Sequence, residues 1–360
     1  MLPLHSWPPY KYSLRNLRLS ASKYSPCPLC LCGKNVLTFM VSRGKMESMK
    51  KSDIKKIVRK GYGQIATKSS SCCGPAVSKC GCPPSGRGLA AAGGCNTKAS
   101  SISLSKAMGY SDKEMASVPQ EANLGLGCGN PIALASLKPG ETVLDLGSGP
   151  GLDCFLAANR VGPTGKVIGI DMTPEMIAKA SALKARPRFG GRNNTKKKYT
   201  NVEFRLGEIE KLPVADNSVD VIISNCVINL SPDKPAVFKE AFRVLKPGGR
   251  LMVSDVVTTN QLPDALKESI GAYVGCLSGA IMKGQYLGTI KKVGFKDVRI
   301  LDEAKFPIKF MLNDLSACDA QAGPTAKALA DTINLSSKSL KGIGDAVESI
   351  KVAAVKPGRK

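Results

Sequence analysis

From about Lys138 onward, short apolar runs alternate with stretches of helical period, a pattern that predicts β-α-β units and a parallel sheet. The predicted strands are Thr142–Leu146, Lys166–Asp171, Val202–Leu206, Val219–Ile223 and Arg250–Asp255, followed later by Val298–Leu301 and Ile350–Val355. Seven strands with helical connections make a doubly wound α/β sheet. Leu245-Lys246-Pro247-Gly248-Gly249 has the proline and glycines needed to turn a helix into the fifth strand. Upstream, residues 53–67 read as a short basic helix. The Ser/Gly/Cys/Pro-rich stretch from Ser69 to Ser101 has no apolar period and reads as a loop.

The first predicted strand runs directly into Gly147-Ser148-Gly149-Pro150-Gly151, and a helix is expected from near Asp153. Glycines at such a turn let the backbone pass close to a ligand, and Asp171, closing the next strand, is placed to accept both hydroxyls of a ribose. The glycine spacing is not that of a dinucleotide site, because the third glycine comes two residues after the second. Asp145, at the edge of the loop, suits a cationic group such as the amine of a methionine moiety better than a pyrophosphate. Gly207-Glu208-Ile209-Glu210 follows the third strand, where Ile209 and Glu210 would meet an adenine with Met172 on its face. Asp145, Gly147, Gly149, Asp171, Met172, Ile209, Glu210 and Asn225 are therefore the expected cofactor contacts.

Charge changes the picture less than its size suggests. The 360 residues carry a formal +24, but residues 1–60 hold 13 Lys/Arg against only Glu47 and Asp53, and Lys184–Lys198 holds seven with no acid. A basic arm and one basic loop, with only 5% aromatic residues, do not predict a nucleic-acid surface. No apolar run reaches the roughly 18 residues of a transmembrane helix. Residues 1–45 are basic, Ser-rich and free of Asp and Glu. They read either as an organellar transit segment or as sequence ahead of a true start at Met46. The expectation is a monomer without nucleic-acid or membrane partners, cytoplasmic unless that arm directs it to an organelle.

Thirteen cysteines and a single histidine, His5, exclude Ser-His and Cys-His catalysis and disfavour mixed Cys/His zinc sites. Several cysteines lie within an α/β pattern typical of intracellular enzymes, where thiols stay reduced. Their contexts carry a family likeness. Leu124-Gly125-Leu126-Gly127-Cys128-Gly129-Asn130-Pro131, Asp145-Leu146-Gly147-Ser148-Gly149, Asp171-Met172-Thr173, Ser224-Asn225-Cys226-Val227-Ile228-Asn229-Leu230 and Gly275-Cys276-Leu277-Ser278-Gly279-Ala280 resemble the arsenite methyltransferase family. The likeness runs from about Asp53 to Leu301, with a weaker echo over Ile350–Pro357.

The resemblance implies a Rossmann-like class I methyltransferase sheet that uses S-adenosyl-L-methionine, with Cys128, Cys226 and Cys276 as ligands of trivalent arsenic. It also implies that arsenite and methylarsenite are the substrates, that thioredoxin or glutathione is the reductant, and that an N-terminal thiol serves disulfide exchange. Cys72-Cys73 falls where that thiol is expected, although Cys80, Cys82 and Cys95 stand nearby. The implied division is an arm over 1–45, an N-terminal helix and Cys-rich loop over 46–137, a cofactor-binding core over 138–258, an arsenic-binding segment and sixth strand over 259–302, and a C-terminal region over 303–360. Some family members have tyrosines just before Gly-Cys-Gly, where this chain has Leu126, so a ring contact to the cofactor is lost there.

The residues themselves are compatible with that reading. Cys226 follows the fourth strand at its carboxyl end, where open α/β sheets present ligands. Cys276 lies among small residues able to lay a thiol across the crevice, and Cys128 sits in a glycine-rich loop flexible enough to swing in. Three soft thiolates suit a soft thiophilic centre. Cys154 and Cys318 read instead as small buried hydrophobes, and Cys27, Cys30 and Cys32 lie outside the likeness. Two other functions stay open at this point: a methyltransferase for a small organic acceptor, and a Cys-rich metal-binding protein without turnover.

Overall fold

The computed structural model describes residues 49–68, 97–186, 199–262, 267, 273, 276–305 and 345–358. Cys72, Cys73, the other N-terminal cysteines up to Cys95, Cys318, the arm over 1–45 and most of the basic loop lie outside the described residues.

Seven strands form one sheet: β1 Thr142–Leu146, β2 Lys166–Asp171, β3 Val202–Leu206, β4 Val219–Asn225, β5 Leu245–Thr258, β6 Lys296–Lys305 and β7 Val347–Val355. Their order is β3-β2-β1-β4-β5-β7-β6. The first five run parallel, and β7 is inserted antiparallel between β5 and β6. Side chains alternate across the sheet with a period of two, so each strand feeds two cores. Leu144, Leu146, Ile168, Ile170 and Ile222 enter one core, and Val143, Val167, Val221 and Ile223 the other.

Eight α-helices complete the described fold: α1 Lys51–Lys68, α2 Thr97–Ala107, α3 Asp112–Ala116, α4 Pro131–Leu134, α5 Leu152–Val161, α6 Pro174–Ala185, α7 Lys234–Val244 and α8 Lys283–Val293. The first core is closed by Val237, Phe238 and Ala241 of α7 with Tyr286 and Ile290 of α8. Phe155 and Val161 of α5 close the second. None of the helices among the described residues is long and apolar enough to cross a membrane.

Two expectations need correction. Residues 69–101 were expected to be a loop throughout, but α2 begins at Thr97. Its serines have little intrinsic helix preference, and tertiary contacts such as Ser105 Oγ donating to Asn123 Oδ1 at 2.9 Å support the helix. The fifth strand also starts earlier than Arg250: pairing resumes already at Leu245, opposite Val219, with an irregularity before Val221. Gly248 and Gly249 exchange backbone hydrogen bonds with Lys356 just beyond β7, which draws the turn into the sheet.

Strand order reverses between β1 and β4, because β2 and β3 extend one side of β1 and β5 extends the far side of β4. At such a switch point the two following loops diverge and leave a crevice at the carboxyl ends of the strands. A third apolar cluster covers that end and contains Ile54 and Val58 of α1, Leu230, Leu277 and Val347, together with Cys128, Cys226 and Cys276.

Candidate functional site

A crevice lies between the loops after β1 and β4, lined by residues of both loops and of α1. Its floor is the turn after β1. Gly147 has φ +67° and packs so closely on Val227 that a Cβ there would overlap the valine side chain, whereas a Cβ at Gly149 would meet nothing. The turn therefore needs glycine at 147 for both conformation and packing, and at 149 it faces free space. Asp171, at the end of β2, accepts Gly149 N on Oδ2 at 2.9 Å and Thr173 N on Oδ1 at 2.8 Å. Burial raises its carboxyl above the ordinary range against the pull of those two bonds. Each oxygen keeps a lone pair for a hydroxyl. Met172, Ile209 and Glu210 line the same crevice. Glu210 is committed elsewhere: it accepts Ser231 Oγ at 2.6 Å and lies 3.2 Å from Lys55 Nζ of α1.

Two buried acids face one end of the crevice. Asp145 of β1 is 2% exposed and Asp153 of α5 is 7% exposed. Burial and the neighbouring Asp153 push Asp145 well up, and burial pushes Asp153 up to about 6 against hydrogen bonds from Tyr110 and Asn225. Cys154 is fully buried, as expected of a small hydrophobe, and donates its thiol proton to Asp145 Oδ2 at 3.2 Å. Two carboxyl groups held together out of water make a site that gains most from a cation, so these residues fit a positively charged amine or sulfonium.

Beside this acidic end Cys128 and Cys226 bring their sulfurs together, and Cys276 packs against the backbone of Cys226. Cys226 follows β4 directly with φ +64°, and Cys276 has φ +65°. Such left-handed backbone is uncommon for a residue with a Cβ and clusters at functional sites. Cys226 N donates to Ser254 O at 2.8 Å, and Cys276 Sγ reaches Cys226 O at 3.3 Å. Cys128 and Cys226 lie side by side with their sulfurs in contact and their Cα atoms 5.8 Å apart. All three cysteines are buried. Burial pushes the free Cys276 thiol up to about 12, with Asp255 adding to the shift and Tyr62 and Lys234 opposing it.

The expectation that Cys128 swings on a flexible loop is corrected. Its N–H donates to Asn225 Oδ1 at 2.9 Å and its carbonyl accepts Ser349 Oγ of β7 at 2.7 Å. Asn225 Nδ2 in turn donates to Gly129 O at 2.8 Å, Tyr110 OH at 2.9 Å and Asp153 Oδ2 at 3.1 Å. Asn225 was expected among the cofactor contacts; it borders the crevice, but its polar atoms clamp the Gly-Cys-Gly loop.

Several groups here carried no expectation from the sequence. Tyr110, Asp153 and Tyr62 line the crevice. Asp255, fully buried in β5, has a carboxylate oxygen within 4.8 Å of the Cys128 and Cys226 sulfurs, all three being mutually that close. Lys234 is buried beside them and drawn down to about 8 by burial. An acid inside the apolar run Leu251-Met252-Val253-Ser254-Asp255-Val256-Val257 was the available signal for Asp255. Leu126, which replaces a family tyrosine, stands 38% exposed at the crevice.

Comparison with known proteins agrees with this geometry. A family model described as a methyltransferase domain matches residues 137–294. Arsenite methyltransferase of Halobacterium salinarum is 47% identical over 248 residues, which is 69% of this chain and 59% of that protein. Arsenite methyltransferase of Aquipseudomonas alcaligenes is 44% identical over 187 residues, 51% of each chain. The chain thus spans between half and three-fifths of the length of these two relatives. The crystal structure of an arsenic(III) S-adenosylmethionine methyltransferase from Chlamydomonas reinhardtii superimposes with a TM-score of 0.50 at 33% identity, covering 71% of this chain and 74% of that one. With that much of the algal enzyme matched, and with the sheet, glycine turn and converging cysteines in place, the chain belongs to the arsenite methyltransferase family.

Proposed function

We propose that this protein methylates trivalent arsenic, with S-adenosylmethionine as methyl donor and Cys128, Cys226 and Cys276 as the ligands that hold the arsenic. The observation that carries the reading is the pairing of buried Cys128 and Cys226 at the carboxyl end of β4, with buried Cys276 against the Cys226 carbonyl, beside a crevice ending in two buried acids. When bound, S-adenosylmethionine supplies an electrophilic methyl on a sulfonium. The chain's own residues do the rest by placement: Asp171 faces the ribose, Asp145 and Asp153 face the cationic end, and the glycine turn brings the backbone close. Thiolates fix the arsenic so that its lone pair points at the methyl, and positioning of this kind supplies most of the acceleration. No base has to remove a proton from arsenic. Asn225, the polar residue that ends β4, accepts Cys128 N and has both amide hydrogens engaged among Gly129 O, Tyr110 OH and Asp153 Oδ2, so it is not free to serve an organic acceptor.

Only reduced cysteines can hold arsenic, so the reading includes a thiol reductant, thioredoxin or glutathione, with Cys72 or Cys73 as the exchange partner. The protein would work as a cytoplasmic monomer on arsenite and methylarsenite. The test is incubation with arsenite, S-adenosylmethionine and reductant, followed by separation of the arsenic species. Methylated arsenicals are expected, and their absence from an enzyme that binds both ligands would leave only a metal-binding protein.

Asp171→Ala is expected to weaken S-adenosylmethionine binding by roughly one to two orders of magnitude, because the carboxylate makes charge-assisted bonds to the ribose and also holds Gly149 N. Unchanged affinity in calorimetry would remove Asp171 from the site.

A further inference from the structure

Asp255 lies on β5 between Ser254 and Val256, fully buried, on the strand face that also carries the core residues Leu251, Val253 and Val257. An acid there is expensive to bury unless its charge is used. Its oxygens are each met by one donor, Tyr286 OH on Oδ2 at 2.9 Å and Val256 N on Oδ1 at 3.0 Å, which fixes the carboxylate without neutralising it. Burial raises its carboxyl above the ordinary range, against the Tyr286 bond and the nearby Lys234, whose ammonium donates to the carbonyls of Asn229 at 3.4 Å and Ser231 at 3.2 Å. The carboxylate stands within 4.8 Å of the Cys128 and Cys226 sulfurs. Cys276 also senses its charge.

The charge balance of the transfer gives that placement a use. Arsenic(III) bound by three thiolates is neutral. As the methyl moves, the arsenic lone pair becomes the new As–C bond and the electrons of the broken S–C bond stay on the donor sulfur, which becomes a neutral thioether. One positive charge thereby passes from sulfur to arsenic, leaving a four-coordinate methylarsonium. That cation forms among cysteines that are 2%, 4% and 5% exposed, where water does little to screen it. Resting on the function proposed above, we infer that Asp255 is the counter-ion of the arsenic centre: its fixed carboxylate, beside two of the ligand sulfurs, stabilises the charge that reaches arsenic with the methyl group. The neutral starting complex gains little from it, so the effect belongs to the transition state.

The test compares the wild type with Asp255→Asn, Asp255→Glu and Tyr286→Phe in reductant. Arsenic retained per chain after gel filtration is measured by mass spectrometry, alongside kcat and KM for arsenite. Asp255→Asn keeps the shape and the tyrosine hydrogen bond. It is expected to retain wild-type arsenic content and KM while kcat falls about a hundredfold. Asp255→Glu restores the charge and is expected to turn over at least about tenfold faster than the asparagine variant. Tyr286→Phe, which leaves the charge, should stay within about threefold of wild type. Wild-type kcat in Asp255→Asn overturns the inference. So does loss of arsenic from that variant, which would make Asp255 a ligand or a fold support. So too does an equal loss in Tyr286→Phe, or a glutamate variant no better than asparagine. A wild type that makes no methylated arsenic defeats the proposed function itself, before any variant is compared.

Discussion

Cys226→Ser and Cys276→Ser each abolish every methylation step, while Cys128→Ser loses arsenite and keeps part of its activity on methylarsenite. The expectation follows from valence. Arsenite offers three positions to sulfur, and a hydroxyl is a poor ligand for so soft a centre. Methylarsenite already carries one carbon and needs two thiols. Cys226 and Cys276 are the pair best placed to remain, because Cys276 Sγ rests 3.3 Å from the Cys226 carbonyl and both residues hold left-handed backbone at the crevice. Cys128 approaches from outside the methyltransferase motifs, on the loop before β1. Purified variants offered each substrate with reductant decide the matter, and full arsenite methylation by Cys226→Ser would sink the thiolate-ligand reading.

Asn225→Asp unfolds the cysteine site more completely than Asn225→Ala, although aspartate is nearly the same shape. The asparagine accepts from Cys128 N and donates to Gly129 O, Tyr110 OH and Asp153. Aspartate keeps the acceptor but presents lone pairs to the Gly129 carbonyl and a second charge to the Asp153 carboxylate. Burying unmatched like charges costs more than leaving the donors and acceptors open. We expect a loss of about 2–3 kcal/mol for alanine and about 3–5 kcal/mol for aspartate in urea unfolding. Arsenic retention should be lost in both. Glycine is needed on either side of Cys128 for related reasons: a Cβ at 127 would come 2.6 Å from Asn225 Nδ2, and one at 129 would run into Ser254 Oγ. An Asn225→Asp variant as stable as wild type and able to retain arsenic would show that the loop is held by something else.

The sheet was legible because its inner parallel strands β1, β2 and β4 are buried over most of their length and read as short apolar runs; β1, β2 and β3 fall on the expected residues. The boundaries that moved, at β4, β5, β6, β7 and α2, are those where pairing partners or tertiary contacts override local pattern. The cofactor turn was legible for a similar reason, since strand, glycines and Asp171 are close in sequence. The clamp on Cys128 was not. It depends on Asn225 and Ser349, which lie 97 and 221 residues away, and no local spacing reports such partners. Glu210 and Asn225 show the complementary error: their positions along the chain predicted crevice residues, which they are, but not that their polar atoms were already engaged.

The position of β7 has a consequence for how the protein is made. It is the last strand in chain order yet fills the gap between β5 and β6, pairing with β5 from Arg250 to Thr258. Until it emerges from the ribosome, β5 presents a long open edge and Ser349 is not there to receive the loop that carries Cys128. The cofactor half, β1 to β4 with α5 and α6, needs no residue beyond 225 for its own strand pairings. Such a chain assembles its β1–β4 half early and the corner that holds Cys128, Cys226 and Cys276 last, through contacts of very high sequence separation that form slowly. During synthesis the corner around Cys128 therefore closes only once β7 has paired with β5.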